Sequence, residues 1–236
     1  MVEGLRPFSD FFLQHHQYGM GTQGGLEAMI HAIQLSVELD PGKMLIEWDV
    51  QNAFNEFLRQ EGFDVLTEEF ADVLHLVANF YSDRSTSAFP AEDGSLIEIT
   101  MSAGSSQGDV YGGLYFCAAF SKPLRKILTQ FKDKGLELYA YYDDVYALIS
   151  PRYVNSLTRA FRSALREVGL TLSNTKTGLY YPGGTIPSTV LPGEVEDRSN
   201  RGLVVCGTPV GTDDFVAEQM LEIAEEHQQP TAQKNA

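Results

Sequence analysis

Tyr139-Ala140-Tyr141-Tyr142-Asp143-Asp144-Val145-Tyr146-Ala147-Leu148 is the stretch on which the fold turns. Aromatic and β-branched side chains favour strands, and two adjacent acids break the run in its middle. Leu136 to Ile149 is therefore predicted to form two strands meeting at Asp143-Asp144. Asp is at home in tight turns, so the pair taken alone has an ordinary structural reading.

A third acid changes its weight. Lys43 to Val50 reads as a short buried strand, with Asp49 inside Met44-Leu45-Ile46-Glu47-Trp48-Asp49-Val50. Strand interiors disfavour Asp and an unpaired buried carboxylate is costly, so Asp49 needs a partner. Brought together, Asp49, Asp143 and Asp144 would repel one another unless a cation sat between them. Hard oxygen donors of this kind suit Mg²⁺.

Outward from these strands the chain alternates irregularly, which predicts an α+β fold. Residues 24–39 read as a helix with Leu26, Met29, Ile30, Ile33 and Val37 on one face, stopped by Pro41-Gly42. Helical spacing recurs from Phe63 to Tyr81, and a hairpin with Asp93-Gly94 as its turn follows. Gly104 to Gly113 leads into a helix reaching Phe131, and residues 154–168 form an amphipathic helix closed by Gly169. Tyr181 to Arg201, rich in proline and glycine, reads as a loop. Leu203 to Val210 reads as a last strand, and Gln228 to Ala236 as a frayed polar tail.

Composition narrows the setting. Cys117 and Cys206 are the only cysteines, which argues against a disulfide framework or a cysteine zinc site and for an intracellular, reducing location in cytoplasm or nucleus. No apolar run approaches the roughly 18–20 residues that span a bilayer, so no membrane partner is expected. The net charge of −15 opposes nucleic-acid binding. Basic residues nonetheless cluster at Lys122, Arg125, Lys126, Lys132 and Lys134, and at Arg152, Arg159, Arg162 and Arg166. Solvated helix faces account for these clusters equally well.

The motifs, taken in order, resemble those of reverse transcriptases of the non-LTR retrotransposon type. Ile46 to Asn55 is similar to the first palm motif, an apolar strand with Asp followed by Ala-Phe. Ser102-Ala103-Gly104-Ser105-Ser106-Gln107-Gly108-Asp109 resembles the Gly-x-x-Gln-Gly-Asp motif, and Tyr141-Tyr142-Asp143-Asp144 the Tyr-x-Asp-Asp hairpin. Gly169 to Thr177, with its Gly-Leu, Asn and Lys, is similar to the next motif, and Val204 to Gly211 to the hairpin that grips the primer. Upstream, Gln17-Tyr18-Gly19-Met20-Gly21 and Gly24-Gly25-Leu26-Glu27 resemble the segment joining fingers to palm.

The resemblance implies a right-hand polymerase palm, an antiparallel sheet backed by helices, with a partial fingers segment. Residues 1–42 would belong to the fingers, 43–216 to the palm and 217–236 to a polar tail. The implied activity is RNA-directed DNA polymerisation with two Mg²⁺ ions, for which Mn²⁺ can substitute. The partners would be an RNA template, a DNA primer and dNTPs. Asp49, Asp143 and Asp144 would be catalytic metal ligands, and Lys176 would neutralise or protonate the leaving pyrophosphate. Phe54 would exclude a ribose 2′-hydroxyl, Gln107 and Gly108 would line the incoming nucleotide, and Gly207, Pro209 and Gly211 would form the primer grip. By themselves Phe54 reads as core, Lys176 as a solvated cation and Gly104 and Gly108 as loop markers.

The chain departs from the family pattern in places. Val110-Tyr111-Gly112-Gly113 stands where Pro-Leu-Gly-Pro is usual. Only Arg6 precedes Lys43, so no basic finger hairpin is visible, and the 25 residues after Gly211 are too few for a helical thumb. The expectation is a truncated reading frame, a degenerate copy or a fragment whose fingers and thumb lie in a larger polyprotein. The alternatives are a non-catalytic remnant that keeps the palm and, against the aromatic Phe54, an RNA-directed RNA polymerase.

Overall fold

In the computed structural model, residues 6–83, 85–91, 93–106, 108–173, 177–190, 197–199 and 201–228 are described. Near its centre runs β1 (Met44–Asp49), whose residues alternate between two apolar layers. β4 (Glu137–Tyr141) and β5 (Asp144–Ile149) form the expected hairpin, and β5 pairs antiparallel with β1. On the other side of β1 lie β6 (Gly178–Tyr180), antiparallel, and then β7 (Asp197–Ser199), parallel to β6. The five-stranded order is β4-β5-β1-β6-β7.

Helices cover one face. Trp48, Ile46, Val145 and Ala147 pack against Phe116 and Phe120 of α6 (Gly112–Phe131) and against Leu157 and Phe161 of α7 (Val154–Glu167). The Trp48 and Phe161 rings lie 4.6 Å apart. The opposite face sets Leu45, Tyr146 and Leu148 against Met29, Ile30 and Ile33 of α2 (Gly25–Leu39). A separate hairpin, β8 (Gly202–Val205) and β9 (Thr208–Gly211), adds Leu203, Val205 and Val210 to that layer. Burial on both faces explains why β1 reads as a nearly continuous apolar run.

The region from Phe63 to Tyr81 is two helices, α4 (Arg59–Glu69) and α5 (Ala71–Tyr81), where spacing alone suggests one. Phe70 breaks them with φ −139° because its ring turns into an aromatic cluster on α1 (Arg6–Gln14). There it lies 4.6 Å from Phe8, 4.9 Å from Phe11 and 5.9 Å from Phe12. The outlying hairpin of β2 (Ser85–Pro90) and β3 (Leu96–Met101) forms as expected.

Two sequence expectations need correction. The stretch from 217 onward, read as a polar tail, is helical to Gln228 as part of α8 (Asp213–Gln228). The helix is seated by Phe215, whose ring lies so near Gly202 that an added Cβ there would meet it at 2.3 Å. Within the expected loop of 181–201, Asp197–Ser199 instead joins the sheet edge as β7. No described helix is long and apolar enough to cross a membrane.

Candidate active site

The antiparallel register of β1 and β5 places Asp49 directly opposite Asp144. Both stand where the two strands leave the apolar sheet, after Trp48 has paired with Val145. The β4–β5 turn is only two residues long, Tyr142 and Asp143, because Tyr141 pairs with Asp144. Tyr142 has φ 54°, a left-handed conformation that most side chains avoid. Adjacent strands therefore deliver all three acids to one end of the sheet.

Local structure fixes how β1 ends. Val50 makes a bridge with Leu172, Ser173 N–H donates to Asp49 O at 2.8 Å, and Gln51 N–H donates to Thr171 O at 2.9 Å. Asn52, at φ 43°, turns the chain into the short helix α3 (Ala53–Glu56). That turn sets Phe54 between α6 and the Tyr142 ring. Its half-buried ring stacks on Phe116 at 4.4 Å and lies 6.1 Å from the Tyr142 ring.

The glycine loop docks on the same segment. Gly104 N–H donates to Phe57 O at 2.8 Å, and Ser105 N–H to Phe54 O at 2.6 Å. At φ 63° a Cβ on residue 104 would sit 2.3 Å from the Asn55 carbonyl carbon, so only glycine permits this approach. Farther along, Tyr81 accepts a hydrogen bond from Ser106 N–H at 3.2 Å and donates to the Asp109 carboxylate. Burial and the hydrogen bond to Asp109 push the Tyr81 hydroxyl up to about 12. Gly108 is exposed at φ 85° on this loop.

The β8–β9 hairpin reaches the site at its turn. Cys206 and Gly207 both have positive φ, 44° and 81°, as a two-residue hairpin turn demands. Cys206 N–H donates to the Tyr146 hydroxyl at 3.1 Å, and its thiol lies 3.7 Å from Asp144 Oδ2. Gly207 follows Cys206 in that turn and is exposed. Pro209 and Gly211 pair with Val204 and Gly202 farther down the ladder, in a cleft with Gln34 and Val37 of α2 and Asp213 and Val216 of α8. The structure does not bring these two to the carboxylates. Gln107 and Lys176 lie outside the described residues.

Burial raises the Asp143 carboxyl above its usual range, and the Asp49 charge adds to the effect. Asp144 is the most exposed of the three as a residue, yet burial of its carboxyl, with the charge of Asp143 beside it, raises it also. Among the described residues no Lys or Arg forms an ion pair with either acid. Nor do three His, Cys, Asp or Glu side chains there close into a ready-made metal cage. Hard oxygen donors, crowded and without a cationic side chain beside Asp143 or Asp144, fit Mg²⁺, which takes one or two carboxylates and fills its shell with water and phosphate.

Sequence reasoning missed Cys206 against Asp144, and it missed Gln17. Buried at 1% exposure, Gln17 reaches the Tyr142 backbone from 125 residues away. Gln17 did stand in the quoted upstream motif, but nothing local to either residue reveals their contact.

A sheet antiparallel except at β7, backed by α6 and α7 and with acids at paired strand ends, has the architecture of a polymerase palm. Residues 1–220 match the family described as reverse transcriptase (RNA-dependent DNA polymerase), and the chain belongs to that family. No curated protein sequence matches it. Among solved structures, telomerase from Candida albicans in complex with a TWJ fragment of telomeric RNA is similar with a TM-score of 0.66 and 11% identity. That likeness covers 89% of this chain and 37% of the telomerase chain. Apo telomerase from Candida tropicalis gives a TM-score of 0.57 at 10% identity, over 76% of this chain and 36% of the other. The likeness at such identity is one of fold, and this chain spans well under half the length of those structures.

Proposed function

We propose that the chain carries the catalytic palm of an RNA-directed DNA polymerase of the retroelement kind. The observation that supports this most is the register pairing of Asp49 with Asp144, with Asp143 in the adjoining turn. The reaction joins a primer 3′ oxygen to the α-phosphorus of a dNTP and releases pyrophosphate. Asp49 and Asp143, with Asp144 beside them, would hold two Mg²⁺ or Mn²⁺ ions. When bound, such ions activate the 3′-hydroxyl and stabilise the departing pyrophosphate.

The chain's own groups supply position. Phe54, held on Phe116, would refuse a 2′-hydroxyl, on the strength of its motif. The loop of Gly104 to Asp109, fastened to Phe54 and Phe57, would carry Gln107 and Gly108 against the nucleotide. Gly207 would meet the primer end, and Lys176 the pyrophosphate, on the strength of their motifs. Residues 1–42 would serve as fingers segment and 43–216 as palm. An RNA template agrees with the RNA bound by the Candida albicans telomerase.

The net charge of −15 favours a second reading, a non-catalytic palm remnant. Primer extension on an RNA template with dNTPs and Mg²⁺ or Mn²⁺ separates the two. Extension by the parent and none by the Asp143→Ala, Asp144→Ala double variant is expected. A folded parent that does not extend would contradict independent polymerase activity.

A further inference from the structure

The turn that carries Asp143 adopts a shape its own residues do not favour. Tyr142 sits at φ 54°, where its Cβ crowds the backbone, and no glycine relieves it. The two-residue turn calls for that conformation, and a contact from outside the hairpin can hold a tyrosine in it against the steric cost.

Gln17 is placed to do so. Its side-chain amide spans the Tyr142 peptide groups, accepting from Tyr142 N–H at 2.7 Å and donating to Tyr142 O at 2.9 Å. The same Oε1 accepts from Gly19 N–H at 3.0 Å. A backbone N–H and a backbone carbonyl leave only one orientation of the amide that satisfies both. Buried amides are costly unless paired, so this one has little freedom to turn away.

The clamp is itself anchored to the hairpin's outer strand. Tyr18 N–H donates to Ala140 O at 2.7 Å and Ala140 N–H to His16 O at 2.8 Å, which lays His16 to Tyr18 along β4. His16 Nδ1 lies 2.7 Å from Leu138 O, within hydrogen-bonding reach. Gly19 completes the seat. A Cβ there would lie 2.9 Å from both Tyr142 N and the Tyr142 ring, so only glycine lets the segment approach this closely.

We infer that Gln17 is a positioning residue that holds Tyr142 left-handed and so aims Asp143 at the carboxylate cluster. The functional part of this inference rests on the polymerase reading above, whereas the clamp itself does not. Removing the amide should leave the sheet intact but let the turn relax, scattering Asp143 relative to Asp49.

Hydrogen exchange and Mn²⁺ binding on the full chain test this together, using Gln17→Met, which keeps the volume and removes all three hydrogen bonds of the amide. Gly19→Ala, which crowds Tyr142 from the other side, is the second variant. Exchange of the amides from Tyr142 to Asp144 should quicken about tenfold or more in both, beyond any change in the α6 and α7 amides. Mn²⁺ affinity should weaken by about tenfold in parallel. Turn amides that stay as protected in Gln17→Met as in the parent would overturn the clamp. A parent that binds no Mn²⁺, with a turn that still loosens in both variants, would support the clamp and contradict the polymerase reading instead.

Discussion

Asp49 and Asp144 face each other across the β1–β5 ladder, two like charges opposed at the end of a mostly apolar pairing. Like charges directly opposite destabilise a sheet. A fold keeps such a pair where something other than stability depends on it.

The metal-free protein should therefore be less stable at neutral pH than its carboxylates permit. Asp143 and Asp144 both have raised folded-state values, so folding takes up protons as the pH falls. Their contribution is favourable below the ordinary carboxylate range and is lost as pH rises through the raised values. In EDTA at pH 7, Asp143→Asn should raise the melting temperature by about 1–2 °C, modest because solvent still reaches the site. The gain should shrink as pH is lowered towards 4. Melting curves at several pH values check this, and a lower melting temperature for Asp143→Asn at pH 7 would contradict it.

Phe54 should govern sugar choice. Its ring is fixed on Phe116 and faces the Tyr142 ring, so Phe54→Val opens space next to the β4–β5 turn. Discrimination of dNTPs over rNTPs should fall at least tenfold, about 1.4 kcal/mol. Single-nucleotide incorporation measures it directly, and unchanged selectivity in an active variant would remove the gate assignment.

Tyr81 ties the glycine loop to the α5 helix through Asp109 and Ser106 N–H. Tyr81→Phe leaves both without that partner and should cost about 1–3 kcal/mol. Denaturant unfolding would show it as a lower midpoint at unchanged slope.

Thr158 points the other way. Its hydroxyl is buried inside the α7 interface with no hydrogen-bond partner among the described residues. Thr158→Val keeps the shape and removes the stranded polar atom. The change should stabilise by about 1 kcal/mol, or about 2–4 °C in melting temperature for a chain of this size.

Much of this was legible in the sequence because its signals are local. The β4–β5 hairpin follows from alternating aromatic and small residues around two acids, and β1 from a buried apolar run. Asp49 stood out because strands reject Asp. The break at Phe70 was hidden because helical spacing continues through it, and only the α1 aromatic cluster explains the kink. The α8 helix was hidden by its acidic surface, since its anchor Phe215 finds Gly202 only in three dimensions. Gln17 on Tyr142 and Cys206 on Asp144 join residues 125 and 62 positions apart, distances over which neighbouring residues carry no message.

On this reading Asp49, Asp143 and Asp144 form one divalent-cation centre. Mn²⁺ titration followed by electron paramagnetic resonance tests it most directly, comparing the parent with Asp49→Asn and with the Asp143→Asn, Asp144→Asn double variant. Saturable binding by the parent, weakened at least tenfold in both variants while each remains folded, is the predicted result. Equal Mn²⁺ affinity in parent and both variants would contradict it.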